Sequence, residues 1–214
     1  MLLRLSISLA ICVATAAVVP AAAAQTLDDL FKAVNANDLG EVRSLLDRGM
    51  DPSSTDKEGY SLLMMASREG HLEMIRLLLD RKAKVNQRTP TNETAIMFAA
   101  FKGQAESVRL LHSRGAEINK DGWTPLHYAA FQGHASVAKY LLDNKAEIDA
   151  RAPNGATALV LAARNGHYAV VKLLLAQGAD PNAKTDGGAS ALQWASKGGN
   201  GDIVELLRKA GAKE

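Results

Sequence analysis

The chain has 214 residues, 25 basic and 23 acidic, for a formal charge of +2; 47% of its residues are hydrophobic and 5% aromatic. A charge so near zero, with no long basic run, gives no support for a nucleic-acid partner or an electrostatic membrane anchor. The single cysteine, Cys12, excludes a disulfide framework and a cysteine-built zinc site.

From the N-terminus, Met1 to Arg4 holds the only charge of the first 24 residues, Leu5 to Val19 is mostly apolar, Pro20 breaks the run, and Ala22-Ala23-Ala24 precedes Gln25. Charged, apolar and then small residues is the order of a secretory signal peptide, with cleavage expected between Ala24 and Gln25. A membrane-spanning helix wants ~20 apolar residues, and this shorter run contains Ser6, Ser8 and Thr15; an uncleaved anchor is the alternative. A lipoprotein would need Cys12 acylated, but Ile11 before it is not the small residue required. The expected product, residues 25–214, is exported to the periplasm or beyond, has no thiol, and has no stable membrane insertion after cleavage.

Beyond Gln25 one phrase returns: Ser61-Leu62-Leu63-Met64-Met65, Thr94-Ala95-Ile96-Met97-Phe98, Thr124-Pro125-Leu126-His127-Tyr128, Thr157-Ala158-Leu159-Val160-Leu161 and Ser190-Ala191-Leu192-Gln193-Trp194. The steps are 33, 30, 33 and 33 residues. Such a period predicts one supersecondary unit stacked repeatedly, each copy burying its apolar face on its neighbours. In each copy a hydroxyl residue opens a first helix, alanines such as Ala99-Ala100 and Ala129-Ala130 allow close approach, and Gly70, Gly103, Gly133, Gly166 or Gly199 ends it. A second, strongly apolar helix follows, as in Leu77-Leu78-Leu79 or Leu173-Leu174-Leu175.

The first copy lacks the phrase but supplies Leu27, Leu30, Phe31, Val34, Val42 and Leu45-Leu46, and reads as an N-terminal cap. The last copy shows Asp202, Glu205, Arg208 and Lys209 to solvent, as a C-terminal cap must.

The fourth copy, Asp121-Gly122-Trp123-Thr124-Pro125-Leu126-His127-Tyr128-Ala129-Ala130-Phe131-Gln132-Gly133-His134, resembles the ankyrin repeat. The resemblance implies an all-α repeat solenoid of six stacked ankyrin repeats, at about 25–55, 56–88, 89–118, 119–151, 152–184 and 185–214, each a helix-turn-helix with a β-hairpin or loop finger. It also implies a monomeric, non-enzymatic module that binds an unidentified protein partner and needs no cofactor. A groove-based small-ligand binder or enzyme, and a structural spacer, are the alternatives.

Histidine is the common catalytic base, so the five here need an account. His71, His134 and His167 follow the repeat glycine, and His127 falls in the hydroxyl-Pro-Leu-His phrase. In the family such side chains hydrogen-bond within and between repeats. His112, near the end of a second helix, is expected to be a solvated cap on the last carbonyls. No His-Glu-x-x-His pair, Gly-x-Ser-x-Gly elbow or phosphate loop is present.

By the same resemblance, the variable concave positions are the residue before the hydroxyl and the two after the small pair. These are Tyr60, Arg68 and Glu69; Glu93, Phe101 and Lys102; Trp123, Phe131 and Gln132; Ala156, Arg164 and Asn165; Ala189, Lys197 and Gly198. The partner-binding candidates among them are Tyr60, Arg68, Phe101, Lys102, Trp123, Phe131, Gln132 and Arg164. Large aromatics are typical interface anchors, and here they gather in the third and fourth copies. The 30-residue step falls there too: Gly115 to Thr124 is nine residues, against twelve from Gly178 to Ser190. The finger around Asn119-Lys120-Asp121-Gly122 is therefore expected to be short and to expose Trp123.

Overall fold

Each hydroxyl-led phrase starts a helix because its side chain satisfies a backbone donor that the first turn leaves unpaired. In the computed structural model, which describes the backbone of residues 21–213 and the side chains from residue 27, Ser61, Thr124, Thr157 and Ser190 each accept from the amide three residues on. Thr94 is buried at the equivalent place and makes no such bond. The expected leader, residues 1–24, lies outside the described residues except for the backbone of Ala21–Ala24, the first turn of the first helix.

Twelve helices follow one another among the described residues. They fall into six antiparallel pairs: α1 (Ala21–Asn35) with α2 (Leu39–Asp47), α3 (Leu62–Glu69) with α4 (Leu72–Asp80), and α5 (Ala95–Phe101) with α6 (Ala105–Ser113). Then come α7 (Pro125–Gln132) with α8 (Ala135–Asp143), α9 (Ala158–Arg164) with α10 (Tyr168–Ala176), and α11 (Ala191–Lys197) with α12 (Gly201–Lys209). The first helices form one row and the second helices another, and the first row is the more closely packed. Ala66, Ala99, Ala100, Ala129, Ala130, Ala162, Ala163 and Ala195 are wholly buried in that row. Closer spacing on one side curves the array, so the alanine-rich row is the inner, concave side.

The core runs the length of the stack as one cluster. Val42, Ile75, Leu78, Leu111, Val137, Leu141, Val171, Leu174 and Leu207 contribute from the outer row. Glycines allow the close spacing. Gly133 has φ +80°, and a Cβ there would lie 2.5 Å from Nδ1 of His167, which crosses it from the next pair. Gly70, Gly103 and Gly166 are crossed in the same way by Gln104, His134 and Asn200.

The fingers hold no strand among the described residues, only isolated bridges at Thr55–Ser61 and Lys184–Ser190. The hairpin expected from the resemblance is thus reduced to a tight turn. Four fingers close by one backbone bond, from Asp56 to Tyr60, Thr89 to Glu93, Ala152 to Ala156 and Thr185 to Ala189, at 2.9 to 3.0 Å. The finger before α7 has no counterpart among the described residues.

Neighbouring pairs are also pinned along the finger bases. Asn86 donates to the Gly115 carbonyl and accepts from the Glu117 amide, both at 2.9 Å. Asn119 does the same to Lys145 and Glu147, and Asn182 to Gly211 and Lys213. Asp149 keeps only the acceptor half, toward the Asp180 amide. Each asparagine satisfies two backbone groups that a turn would leave unpaired, and Asp149 one.

Candidate protein-binding surface

The inner-row helices share a face near their ends because the same position, just after the buried small pair, falls in the last turn of α3, α5, α7, α9 and α11. Arg68, Phe101, Phe131, Arg164 and Lys197 therefore form one column along the concave side. Phe131 is 37% exposed, one of two exposed large hydrophobics among the described residues. The other, Tyr168 at 40%, begins outer helix α10.

Aromatic rings line the groove between α3 and α7. Tyr60 meets Phe98 edge to face at 5.6 Å, and Phe101 meets Tyr128 edge to face at 6.0 Å. Trp123 lies 5.6 Å from the His127 ring and 5.9 Å from Tyr128. Such edge-to-face pairs are favoured by the ring quadrupoles. A small cavity of about 100 Å³ sits among Glu93, Met97, Phe98, Phe101 and Tyr128. The Tyr128 hydroxyl donates to Glu93 Oε1 at 3.0 Å, while the Thr91 hydroxyl donates to Oε2 at 2.8 Å. Burial first, and then the Glu93 charge, push the Tyr128 phenol above its ordinary range.

Trp123 is half-buried against the core. The expectation that a short finger would leave it standing free differs from this placement, and the finger's own bonding supplies the reason. Lys120 Nζ donates to the Asn92 carbonyl at 2.6 Å, drawing the shortened finger toward its predecessor. Burial, and then the Arg88 guanidinium, hold the Lys120 pKa below the usual lysine range. The indole packs instead against the His127 and Tyr128 rings, near-perpendicular to the first and tilted to the second.

Of the other expected positions, Arg68, Lys102, Gln132 and Arg164 are exposed, while Tyr60 and Phe101 are half-buried. Arg68 pairs with Glu69 at 2.8 Å. Ala156, also at a concave position, is buried. Sequence reasoning missed Trp194 as a site element. The Arg164 guanidinium lies 4.7 Å and the Lys197 ammonium 5.4 Å from its ring centre, so one indole carries two cations. A cavity of about 180 Å³ opens beside them, lined in part by Leu161, Arg164, Thr185 and Trp194. A separate open cleft of about 630 Å³ lies between α1 and the first finger and contains none of the expected site residues.

Four of the five histidines hold repeats together; among the described residues His71, at the start of α4, makes no such bond. His127 Nδ1 accepts the Thr124 amide at 3.1 Å, so Nε2 carries the proton and donates to the carbonyls of Ala150 and Ala156, at 3.0 and 3.2 Å. Burial lowers its pKa against the opposing pull of those two carbonyls, keeping the ring neutral. His134 Nε2 bonds to the Phe101 carbonyl at 3.0 Å and His167 Nε2 to that of Phe131 at 2.9 Å. His112 is not a solvated cap. Its Nδ1 lies 2.9 Å from the Tyr140 hydroxyl of the next pair, because α8 brings an aromatic over the end of α6. Among the described residues no group of three or more His, Cys, Asp or Glu is placed to hold a metal ion. No described helix is long and apolar enough to cross a membrane.

Comparison with known families bears on what this arrangement is. The family model for ankyrin repeats matches in three overlapping copies, at residues 30–121, 82–152 and 144–214. The chain belongs to the ankyrin-repeat family. Ankyrin repeats are in general protein–protein interaction modules and typically non-enzymatic scaffolds, which makes the exposed inner face of this ankyrin array its candidate interface. A search of curated proteins gave no significant match. The three copies run from the third turn of α1 past the end of α12, so the aromatic groove and the Trp194 cluster both lie on ankyrin scaffold.

Proposed function

We propose that this ankyrin-repeat chain is a non-enzymatic protein-binding module that takes a partner protein on its concave face, between the inner helices and the fingers. The observation that carries the proposal is Phe131, held 37% exposed on the inner-row column, with Phe101, Tyr128 and Trp123 half-buried on the same row. A large exposed side chain there costs solubility, whereas central aromatics supply most of the energy of protein interfaces. Four of the five histidines, His112, His127, His134 and His167, bond instead to backbone or to a neighbouring tyrosine, and His71 Nδ1 is buried at the start of α4 with no hydrogen-bond partner among the described residues.

We further read the helix pairs as six repeats with the boundaries given above, and residues 1–24 as a signal that delivers residues 25–214 to the periplasm. The support for export is the charged, apolar and small-residue order of the leader and a remaining chain free of cysteine.

The test uses the exported chain as bait in an envelope extract, beside Trp123→Ala and Phe131→Ala. A partner captured by the native bait and lost with Phe131→Ala supports the proposal; capture indifferent to both substitutions refutes the surface. Sequencing the N-terminus of the expressed protein tests export, with Gln25 expected and a retained Met1 against it.

A further inference from the structure

The charge of the groove narrows what it can accept. Inner helices α5, α7, α9 and α11 contain no aspartate or glutamate, yet Arg164 and Lys197 end two of them and Lys102 caps a third. None of these three cations is ion-paired among the described residues, whereas the outer row is laced with neutralising pairs such as Arg76 with Glu73, Arg109 with Glu106, Lys139 with Asp143 and Lys209 with Glu205. The nearby finger carboxylates are occupied, Glu93 by the Tyr128 and Thr91 hydroxyls and Asp186 by Arg151 at 3.3 Å.

Arg164 and Lys197 are also held in place. Both rest on the Trp194 indole, which binds cations through its face and leaves their N–H donors pointing elsewhere. Two like charges on one ring, beside an open cavity and without a carboxylate, form a preorganised anion-accepting point. One and two steps back along the column stand Phe131 and Phe101, apolar and uncharged.

From this we infer that the partner presents an extended segment, apolar at one end and acidic at the other, its apolar side chains over Phe101 and Phe131 and its carboxylates over Arg164 and Lys197. The inference rests on the proposed concave interface and adds the chemistry of its occupant. Packed helices lie ~8–10 Å apart and an extended chain rises ~3.3 Å per residue, so each repeat corresponds to roughly three partner residues. The carboxylates accordingly fall about three and six residues beyond the apolar anchors.

The experiment measures fluorescence anisotropy of four labelled probes with residues 25–214. The probes are a dodecapeptide with two leucines about three residues apart toward one end, followed at the same spacing by two glutamates, its lysine-for-glutamate and its serine-for-leucine counterparts, and a single-stranded oligothymidylate. The glutamate peptide should bind at least about ten-fold more tightly than the lysine one, and weaken as salt rises. The double variant Arg164→Glu, Lys197→Glu should reverse that preference while its circular dichroism stays helical, since both residues are exposed. Phe131→Ala should weaken both leucine peptides.

Equal affinity for the glutamate and lysine peptides, no effect of the charge reversal, absence of binding by all peptides, or binding of the oligothymidylate in their place overturns the inference. If a captured partner depends on Phe131 but not on the charge reversal, this inference falls and the concave interface stands. If capture ignores Phe131, both fall.

Discussion

The Tyr128 hydroxyl donates to Glu93 Oε1 at 3.0 Å, tying inner helix α7 to the finger that precedes α5. The bond fixes the rim of the aromatic groove, because the Tyr128 ring also stands edge to face with Phe101 and tilted against Trp123. Groove and stack are therefore built from the same side chains. Tyr128→Phe should retain the ring packing but lose about 1 kcal/mol of stability, the net worth of a hydrogen bond of this kind. Urea unfolding checks this; an unchanged midpoint would mean that water serves Glu93 equally well.

His127 makes stability depend on pH. Its pKa is lowered in the folded state by burial, so the neutral ring's contribution is complete above the unfolded value near 6.5. As pH falls below that value the unfolded chain takes up the proton first, and stability declines until the folded-state pKa is passed. His127→Gln separates titration from capping, because Gln193 at the corresponding place in α11 accepts the Ser190 amide at 3.0 Å without titrating. The variant should show a flatter melting temperature between pH 7 and pH 5, roughly the window in which a histidine titrates. A slope equal to the native one would place the pH sensitivity elsewhere.

Glycines with similar backbones should differ in tolerance. Gly133 at φ +80° is crossed by His167, whereas Gly178 at φ +90° has nothing within 4 Å of a built Cβ. Gly178→Ala should cost about 1 kcal/mol, from backbone strain alone. Gly133→Ala should cost more, since His167 must also give up its place against the Phe131 carbonyl. Equal losses in thermal unfolding would contradict the crossing contact.

Truncating one core leucine should be felt along the stack. Leu141→Ala or Leu174→Ala, each fully buried, should cost ~2–5 kcal/mol by lost burial and the cavity left behind. Denaturant titration gives the number directly, and a loss below about 1 kcal/mol would mean that the neighbours collapse into the space.

The repeat phrase, the alanine pairs and the terminating glycines were readable in the sequence because each is a local requirement imposed at a fixed period. Less visible was anything that depended on what one pair places over the next. His112 reads locally as a helix-end cap, and only the position of α8 gives it Tyr140. A short finger suggests an exposed Trp123, but where the lost length goes depends on Lys120 reaching Asn92. Asn86, Asn119, Asp149 and Asn182 recur at steps of 33, 30 and 33, so the finger-base ladder did leave a trace in the sequence. Trp194 and Lys197 stand three residues apart on α11, a spacing the sequence does show, but Arg164 comes from α9, and only the stacking of the two helices brings it onto the same ring.

The concave interface is tested most directly by site-specific photocross-linking in the producing cell. A benzophenone amino acid is placed at Phe131, and in a second strain at Tyr168, the two exposed large hydrophobics among the described residues. They differ in the row they occupy, inner for Phe131 and outer for Tyr168. A protein adduct from position 131 and none from position 168 is the predicted result. Adducts from 168 alone, or none from 131, would contradict the assignment of the inner face as the binding surface.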